Sequence, residues 1–306
     1  MQNNSIEISG LKKAFGETVA LRGLDIQVES GKMFGLIGPD GAGKTTALRI
    51  LCGLLDADEG SATIGGFDSC KETSQVREII GYMPQRFSLY PDLTVDENMQ
   101  FFAELFGVNK SEWENRRKQL LQFSKLEPFN DRRAAALSGG MKQKLALSCT
   151  LIHTPKILLL DEPTTGVDPV SRREFWDILK SLRQEGVTIL VTTSYMDEAA
   201  LCDQIGLIHK GKILAQIEPE RIDELVKLEF IELQTSNLRQ TAKILKSNSD
   251  FHNIQTFGDK LHVCGYDIKK MKITIENTLS SAGISIKTIK GVNATLEDVF
   301  VELMQE

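Results

Sequence analysis

The chain has 306 residues, 41% of them hydrophobic and 25% charged, with 36 Lys and Arg against 42 Asp and Glu for a net charge of −6. This is close to the soluble globular average, which excludes a disordered or fibrous chain, and the length suggests about two domains. The mild acidity argues against a dedicated nucleic-acid binder, so no nucleic-acid partner is expected. No stretch approaches the ~18 consecutive apolar residues of a membrane span. Met1 to Gly10 has neither the basic start nor the apolar run of a signal peptide. No direct membrane insertion is expected, and any membrane connection would run through another chain. The five cysteines, Cys52, Cys70, Cys149, Cys202 and Cys264, are scattered and lack any C-x-x-C. They suggest neither a disulfide framework nor a zinc site, and are expected to be buried, reduced thiols.

In chain order, Ile6-Glu7-Ile8 and Leu24 to Val28 alternate apolar and polar residues and predict half-buried antiparallel strands. Met33 to Ile37 is a short apolar run, Gly38 to Gly43 is glycine-rich, and Thr45 to Leu55 reads as a helix stopped near Gly53. Asp92 to Leu126 is helical in pattern. The continuous apolar run Lys156 to Leu160 predicts a parallel strand covered on both faces. A helix over Ser171 to Gln184 and a second buried strand over Val187 to Thr192 follow. Strands alternating with helices predict an α/β fold with a parallel sheet. The character changes near Gln216 to Lys227. Beyond it come a strand (Glu229 to Gln234), a helix (Leu238 to Lys246), a strand pair (Ile254 to Val263), a helix (Lys269 to Ala282) and a strand (Ser285 to Ile289). That βαββαβ order suggests a small α+β, ferredoxin-like sandwich. A last helix, Thr295 to Leu303, would be capped by Asn293 or Thr295.

The segment Gly38-Pro39-Asp40-Gly41-Ala42-Gly43-Lys44-Thr45 matches G-x-x-x-x-G-K-[ST], with Thr46 following. Glycines let the backbone wrap so that its N–H groups point at phosphate oxygens, and the helix that follows adds its positive dipole end. Lys44 would reach the β and γ phosphates of a nucleotide, and the Thr45 hydroxyl would coordinate Mg²⁺. The apolar run before residue 161 ends in Asp161-Glu162. Asp161, at the carboxyl end of a parallel strand, is placed to hold the magnesium water shell. Glu162 is placed to orient or deprotonate an attacking water.

Together these residues resemble the ATP-binding cassette (ABC) ATPases over nearly all of residues 5 to 215. Leu137-Ser138-Gly139-Gly140-Met141-Lys142-Gln143, which begins 24 residues before Asp161, is similar to the LSGGQ signature. Ser138, Gly139 and Gly140 open a helix and so offer a second anion site. In the family that site takes the γ-phosphate of ATP held by the other subunit. Phe15 is placed like the aromatic residue that stacks on adenine. Gln85 in Tyr82-Met83-Pro84-Gln85 resembles the Q-loop glutamine, which touches the metal or water and links to the transport subunit. Asp168 in Gly166-Val167-Asp168-Pro169 resembles the D-loop aspartate.

One position departs from the pattern. Where the family usually has a switch histidine that contacts the γ-phosphate, this chain has Ser194, and none of its four histidines lies in that motif. A serine hydroxyl is shorter and cannot carry positive charge. The stretch Asn293 to Leu303, with Tyr82 to Gln85 and Tyr195 to Ala199, resembles ATPases of the bacterial ABC-2 type multidrug exporter branch.

The resemblance implies a P-loop NTPase core with an antiparallel β-subdomain and a helical subdomain at about 92–152, together forming a nucleotide-binding domain over 1–218. An accessory or regulatory domain would follow at 219–306. It implies a subunit that binds ATP and Mg²⁺, pairs with a second ATP-binding cassette, and energises export through integral membrane permease subunits. Such a subunit would be cytoplasmic and peripheral on the cell membrane. The alternative is a catalytically weak ATP-binding partner that lends its signature to another cassette. A soluble ABC ATPase of translation or DNA repair is a third reading, which lacks the expected second cassette or coiled-coil insertion.

Overall fold

The computed structural model describes residues 4–86 and 89–304, and the chain divides into two compact units, Met1–Glu218 and Pro219–Glu306. In chain order the first unit runs β1 (Asn4–Phe15), β2 (Thr18–Glu29), β3 (Met33–Ile37), α1 (Lys44–Leu51), β4 (Glu59–Ile64), β5 (Phe67–Asp68), α2 (Thr73–Ile79) and β6 (Ile80–Met83). It continues with α3 (Val95–Leu105), α4 (Lys110–Phe123), α5 (Gly139–Leu151), β7 (Ile157–Asp161), α6 (Pro169–Gln184), β8 (Thr188–Thr193), β9 (Gln204–His209) and β10 (Lys212–Ile217).

Every residue of β3, β7 and β8 is buried, as the unbroken apolar runs require of strands covered on both faces. They lie in a sheet of order β10-β9-β3-β8-β7-β6. All its pairings are parallel except β9 with β10. The order sets the carboxyl ends of β3, β8 and β7 side by side, with Ile37 opposite Thr193 and Asp161 opposite Thr192. Open α/β sheets bind ligands at such an edge.

A second, antiparallel sheet has the order β2-β1-β4-β5. Its alternating residues Ile6, Ile8, Leu24, Ile26 and Val28 share one hydrophobic cluster with Ala47, Leu48, Ile50 and Leu51 of α1. Each such aliphatic side chain contributes about 1.5–3 kcal/mol by burial, so α1, and the loop before it, is fixed from below. The helix ends at Leu51, short of the Leu55 expected from the pattern. Gly53 takes a left-handed φ of 63°, and a Cβ there would meet Ser69 O at 2.8 Å. The stretch from 92 is helical as expected: α3, α4 and α5 close around Met99, Leu121, Leu145 and Cys149.

The second unit runs β11 (Glu229–Thr235), α7 (Leu238–Lys246), β12 (Asn253–Phe257), β13 (Lys260–Gly265), α8 (Ile268–Ser281), β14 (Ile286–Val292) and α9 (Leu296–Leu303). Its sheet, of order β12-β13-β11-β14, is antiparallel throughout. Leu261 and Val263 of β13 pack with Leu245 of α7 and Met271, Ile275 and Leu279 of α8. Side chains alternate across a strand, so His262 and Cys264 face the other way, toward α9. That helix is capped by Thr295, which forms a capping box with Asp298; of the two candidate caps, Thr295 is the one used. His262 Nδ1 lies 2.8 Å from Asp298 Oδ2, and His252 Nε2 lies 2.9 Å from Glu302 Oε2.

The hydrogen bond that His262 Nδ1 donates to the Asp298 carboxylate raises the pKa of His262 above its ordinary 6.5. Glu232, 3.9 Å away, adds to the effect, while burial and Lys260 oppose it. A histidine whose folded pKa is raised contributes stability that is full below its unfolded pKa and is lost as pH rises through the folded one. The melting temperature of the second unit is therefore expected to fall as the pH rises above 6.5. The His262→Gln chain should show a flatter profile across the same range in thermal melts.

Cys52, Cys149, Cys202 and Cys264 are buried, Cys70 is half-buried, and all five are free. Burial pushes the Cys264 thiol up to about 12, which leaves it inert as a nucleophile. Among the described residues, no helix is long and apolar enough to cross a membrane.

Candidate active site

β3 delivers the chain into loop 38–43, and α1 opens at Lys44 with Gly43 as its N-cap at φ 109°. A Cβ at Gly43 would lie 2.6 Å from Ala20 O, and one at Gly38 would lie 2.2 Å from Ile208 O. These two glycines are required by close backbone approach. Pro39, Asp40 and Gly41 form the exposed rim, while Ala42 is buried among the core residues beneath.

Lys44 is 4% exposed. Its ammonium donates to Gly38 O at 2.7 Å and Pro39 O at 3.1 Å, and pairs with Glu162 Oε1 at 3.0 Å. Thr45 Oγ1 donates to Asp161 Oδ1 at 3.1 Å, and Thr192 Oγ1 donates to the same oxygen at 2.8 Å. The other Asp161 oxygen, Oδ2, is buried and has no hydrogen-bond partner among the described residues. An orphaned carboxylate oxygen beside a threonine hydroxyl is a hard-oxygen donor set, which fits a magnesium ion. Thr46 is half-buried in the first turn of α1.

Glu162 has φ 48°. For a non-glycine residue this conformation costs about 1–3 kcal/mol and is retained where surrounding bonds enforce it. Here the Glu162 N–H donates to both Thr192 O at 3.1 Å and Thr192 Oγ1 at 3.0 Å. Its carboxylate oxygen Oε2 accepts from Gln85 Nε2 at 3.1 Å and Thr165 Oγ1 at 3.2 Å. Gln85, itself exposed, thus reaches the cluster from 77 residues away. Thr192 and Thr165 were not singled out from the sequence. Thr192 sits one residue from the end of an apolar strand, and only the β7–β8 pairing reveals what its hydroxyl meets.

The remaining candidates lie around this cluster. Phe15, at the end of β1, is 51% exposed with the Lys13 ammonium 5.7 Å from its ring centroid, so it is not a core residue. Ser194 is half-buried at the first position after β8. Asp168 caps α6, accepting from Val170 N at 3.1 Å and Ser171 N at 3.0 Å. Those bonds, led by the one from Ser171, lower its pKa. Ser138 caps α5, accepting from Met141 N at 3.3 Å. Gly139 follows with space around it, whereas a Cβ at Gly140 would lie 2.3 Å from Ser171 Cβ. Signature and Asp168 turn are therefore packed together. Among the described residues, no hydrogen bond joins Ser138, Gly139 or Gly140 to the Lys44 cluster.

The family model for ABC transporters matches residues 21–165. Over 309 aligned residues the chain is 40% identical to the "probable multidrug ABC transporter ATP-binding protein" YbhF of Escherichia coli, which covers 99% of this chain and 53% of that protein. The chain thus spans about half the length of that relative. It is 35% identical to the Nod factor export ATP-binding protein I of Ralstonia nicotianae, covering 97% of this chain and 93% of that one. Among solved structures, cbiO1 from Clostridium perfringens, part of an ABC transporter complex, superposes with TM-score 0.67 at 26% identity, covering 72% of this chain and 91% of that one. The dimeric post-hydrolysis cassette MJ0796, bound to ADP and phosphate, gives TM-score 0.63 at 26% identity, covering 70% and 98%. With this fold, this phosphate loop and these relatives, the chain belongs to the ATP-binding proteins of the ABC transporter family.

Proposed function

We propose that the chain is the ATP-hydrolysing subunit of an ABC exporter, working as a cassette pair beneath a separate membrane permease. The observation that carries this is the assembly of Lys44, Thr45, Asp161, Glu162 and Gln85 at one edge of the sheet. Loop 38–43, Lys44 and Thr46 hold the phosphates, and Phe15 offers its exposed face to adenine. Thr45, Asp161 and Gln85 would hold Mg²⁺. That ion, when bound, neutralises phosphate charge.

Phosphate at the loop requires Lys44 to exchange Glu162 for phosphate oxygens. That exchange frees Glu162 Oε1 to accept a proton from water, while Gln85 and Thr165 keep Oε2 in place. Ser138, Gly139, Gly140 and Asp168 would face the nucleotide of the second cassette. Such a subunit sits on the cytoplasmic face of the membrane through the permease. A catalytically weak partner role is not favoured, because Glu162 is present and held by four neighbouring groups. Turnover of Mg-ATP by the purified chain, stopped by chelating the metal, tests the assignment; a chain that neither binds nor cleaves ATP overturns it.

Ser194 stands where a γ-phosphate contact is needed. A neutral hydrogen bond contributes about 0.5–1.5 kcal/mol, so Ser194→Ala is expected to lower kcat by up to about tenfold with little change in ATP affinity. Steady-state kinetics with a parallel binding titration would show it.

For the second unit we infer a ferredoxin-like sandwich acting as an accessory domain; the antiparallel order β12-β13-β11-β14 with α7 and α8 supports it. Every phosphate-binding candidate precedes residue 200. A chain ending at Glu218 should bind ATP with unchanged affinity by calorimetry.

A further inference from the structure

Glu198 lies in the 3₁₀ turn Met196–Leu201 and is 1% exposed. A turn that only needed filling would take an apolar residue at this depth, since a buried carboxylate requires partners. Glu198 has them on three sides. Thr164 Oγ1 donates to Oε1 at 2.6 Å, and Thr193 Oγ1 donates to Oε2 at 2.5 Å. The Arg172 Nε lies 3.7 Å from Oε1 in an ion pair, and the Arg172 guanidinium stacks 4.1 Å from the Tyr195 ring centroid.

These partners belong to three different segments. Thr164 is two residues beyond Glu162, and its neighbour Thr165 bonds the Glu162 carboxylate. Thr193 immediately precedes Ser194, and its hydroxyl also accepts from Tyr195 N at 3.0 Å, closing a loop around Ser194. Arg172 lies in the first turn of α6, where its N–H donates to the carbonyl of Asp168 at 2.9 Å.

We propose that Glu198 is a positioning residue for ATP hydrolysis: one buried carboxylate clamps the strand-end turn carrying Glu162, the Ser194 segment and the Asp168 cap of α6 as a unit. Among the described residues, its carboxylate bonds to Thr164, Thr193 and Arg172 and to none of the phosphate-binding candidates. Through the clamp, a displacement of Asp168 by a second cassette would be felt at Ser194 and at Glu162. This rests on the ATPase role proposed above.

The test uses the full chain with Glu198→Gln, which keeps the shape but removes the charge that holds Arg172, and Arg172→Lys, which keeps the charge but loses the flat guanidinium. Two readouts are taken with and without Mg-ATP: steady-state kinetics, and hydrogen exchange of backbone amides. Glu198→Gln is expected to lower kcat about tenfold or more with KM and ATP affinity within about twofold. Exchange should rise at both 164–168 and 193–197 while loop 38–45 is unchanged. Arg172→Lys should do the same more weakly, and the double variant should be no worse than Glu198→Gln, as for residues of one network.

Exchange that rises only at 196–201, or a kcat left at the wild-type value, overturns the clamp. So does a parallel fall in kcat, ATP affinity and melting temperature, which is what a merely structural residue gives. Glu162→Gln run beside these variants separates the two claims. If it hydrolyses ATP like wild type, the assignment of Glu162 fails, while the exchange pattern still decides whether Glu198 couples the segments.

Discussion

Glu162→Gln is expected to slow ATP turnover by about 10²–10⁴-fold, the range that a positioned general base supplies, while Mg-ATP binding persists. The amide keeps the size of the carboxylate and can still accept from Gln85 and Thr165, which bond one oxygen at 3.1 and 3.2 Å. It cannot take the proton of an attacking water. It also removes the ion pair with Lys44, 3.0 Å long with both side chains under 10% exposed. Binding should therefore be equal to or tighter than wild type, because phosphate no longer competes with Glu162 for the ammonium. Single-turnover hydrolysis and an equilibrium titration on the same preparation separate the two effects. Loss of binding together with turnover would place Glu162 in nucleotide binding rather than in the chemistry.

The second large effect concerns Lys44→Ala. A charged hydrogen bond is worth about 1.5–3 kcal/mol, so ATP affinity should drop by about tenfold to a hundredfold. The same change leaves Glu162 buried without its cation. Breaking one side of a buried pair costs up to about 3–5 kcal/mol, and the melting temperature should fall as well. Replacing Glu162 by Gln in the Lys44→Ala background removes the stranded charge and should restore part of that stability without restoring affinity. Calorimetric titration and thermal melts on the single and double variants check both statements. Unchanged affinity in Lys44→Ala would refute the phosphate loop.

Why some of this was legible in the sequence and some was not follows from how far apart the interacting residues lie. Gly38 to Thr45 works through consecutive backbone, so its chemistry is written in one stretch. The runs at 33–37 and 157–160 declare buried strands because both faces are covered, and the helix over Leu238–Lys246 was found at its expected bounds. β5 has two residues and β6 four, too short to show a period. β10 is half-buried at Ile213, Leu214 and Ala215 in succession rather than at alternate positions, so it lacks the period-2 pattern by which a strand declares itself. The contacts of Thr192 and Glu198 are hidden in the sequence for a different reason. Their significance comes from pairing with residues 31 and 34 positions away, and a threonine at a strand end or a glutamate in an acidic turn looks ordinary by itself. Ser194 was noticed only as a departure from a family pattern.

The central claim, that this chain closes over ATP as one half of a cassette pair, is tested most directly by counting nucleotides and chains together. Glu162→Gln would be incubated with Mg-ATP, freed of unbound nucleotide, and its mass measured by light scattering with bound ATP quantified after denaturation. On the proposed function, the signature of one chain completes the phosphate site of the other, so a complete site needs two. The expected result is a dimer holding two ATP, which returns to monomer when Lys44 is also replaced by Ala. A monomer that retains ATP, or a dimer that forms equally well without it, would contradict the account.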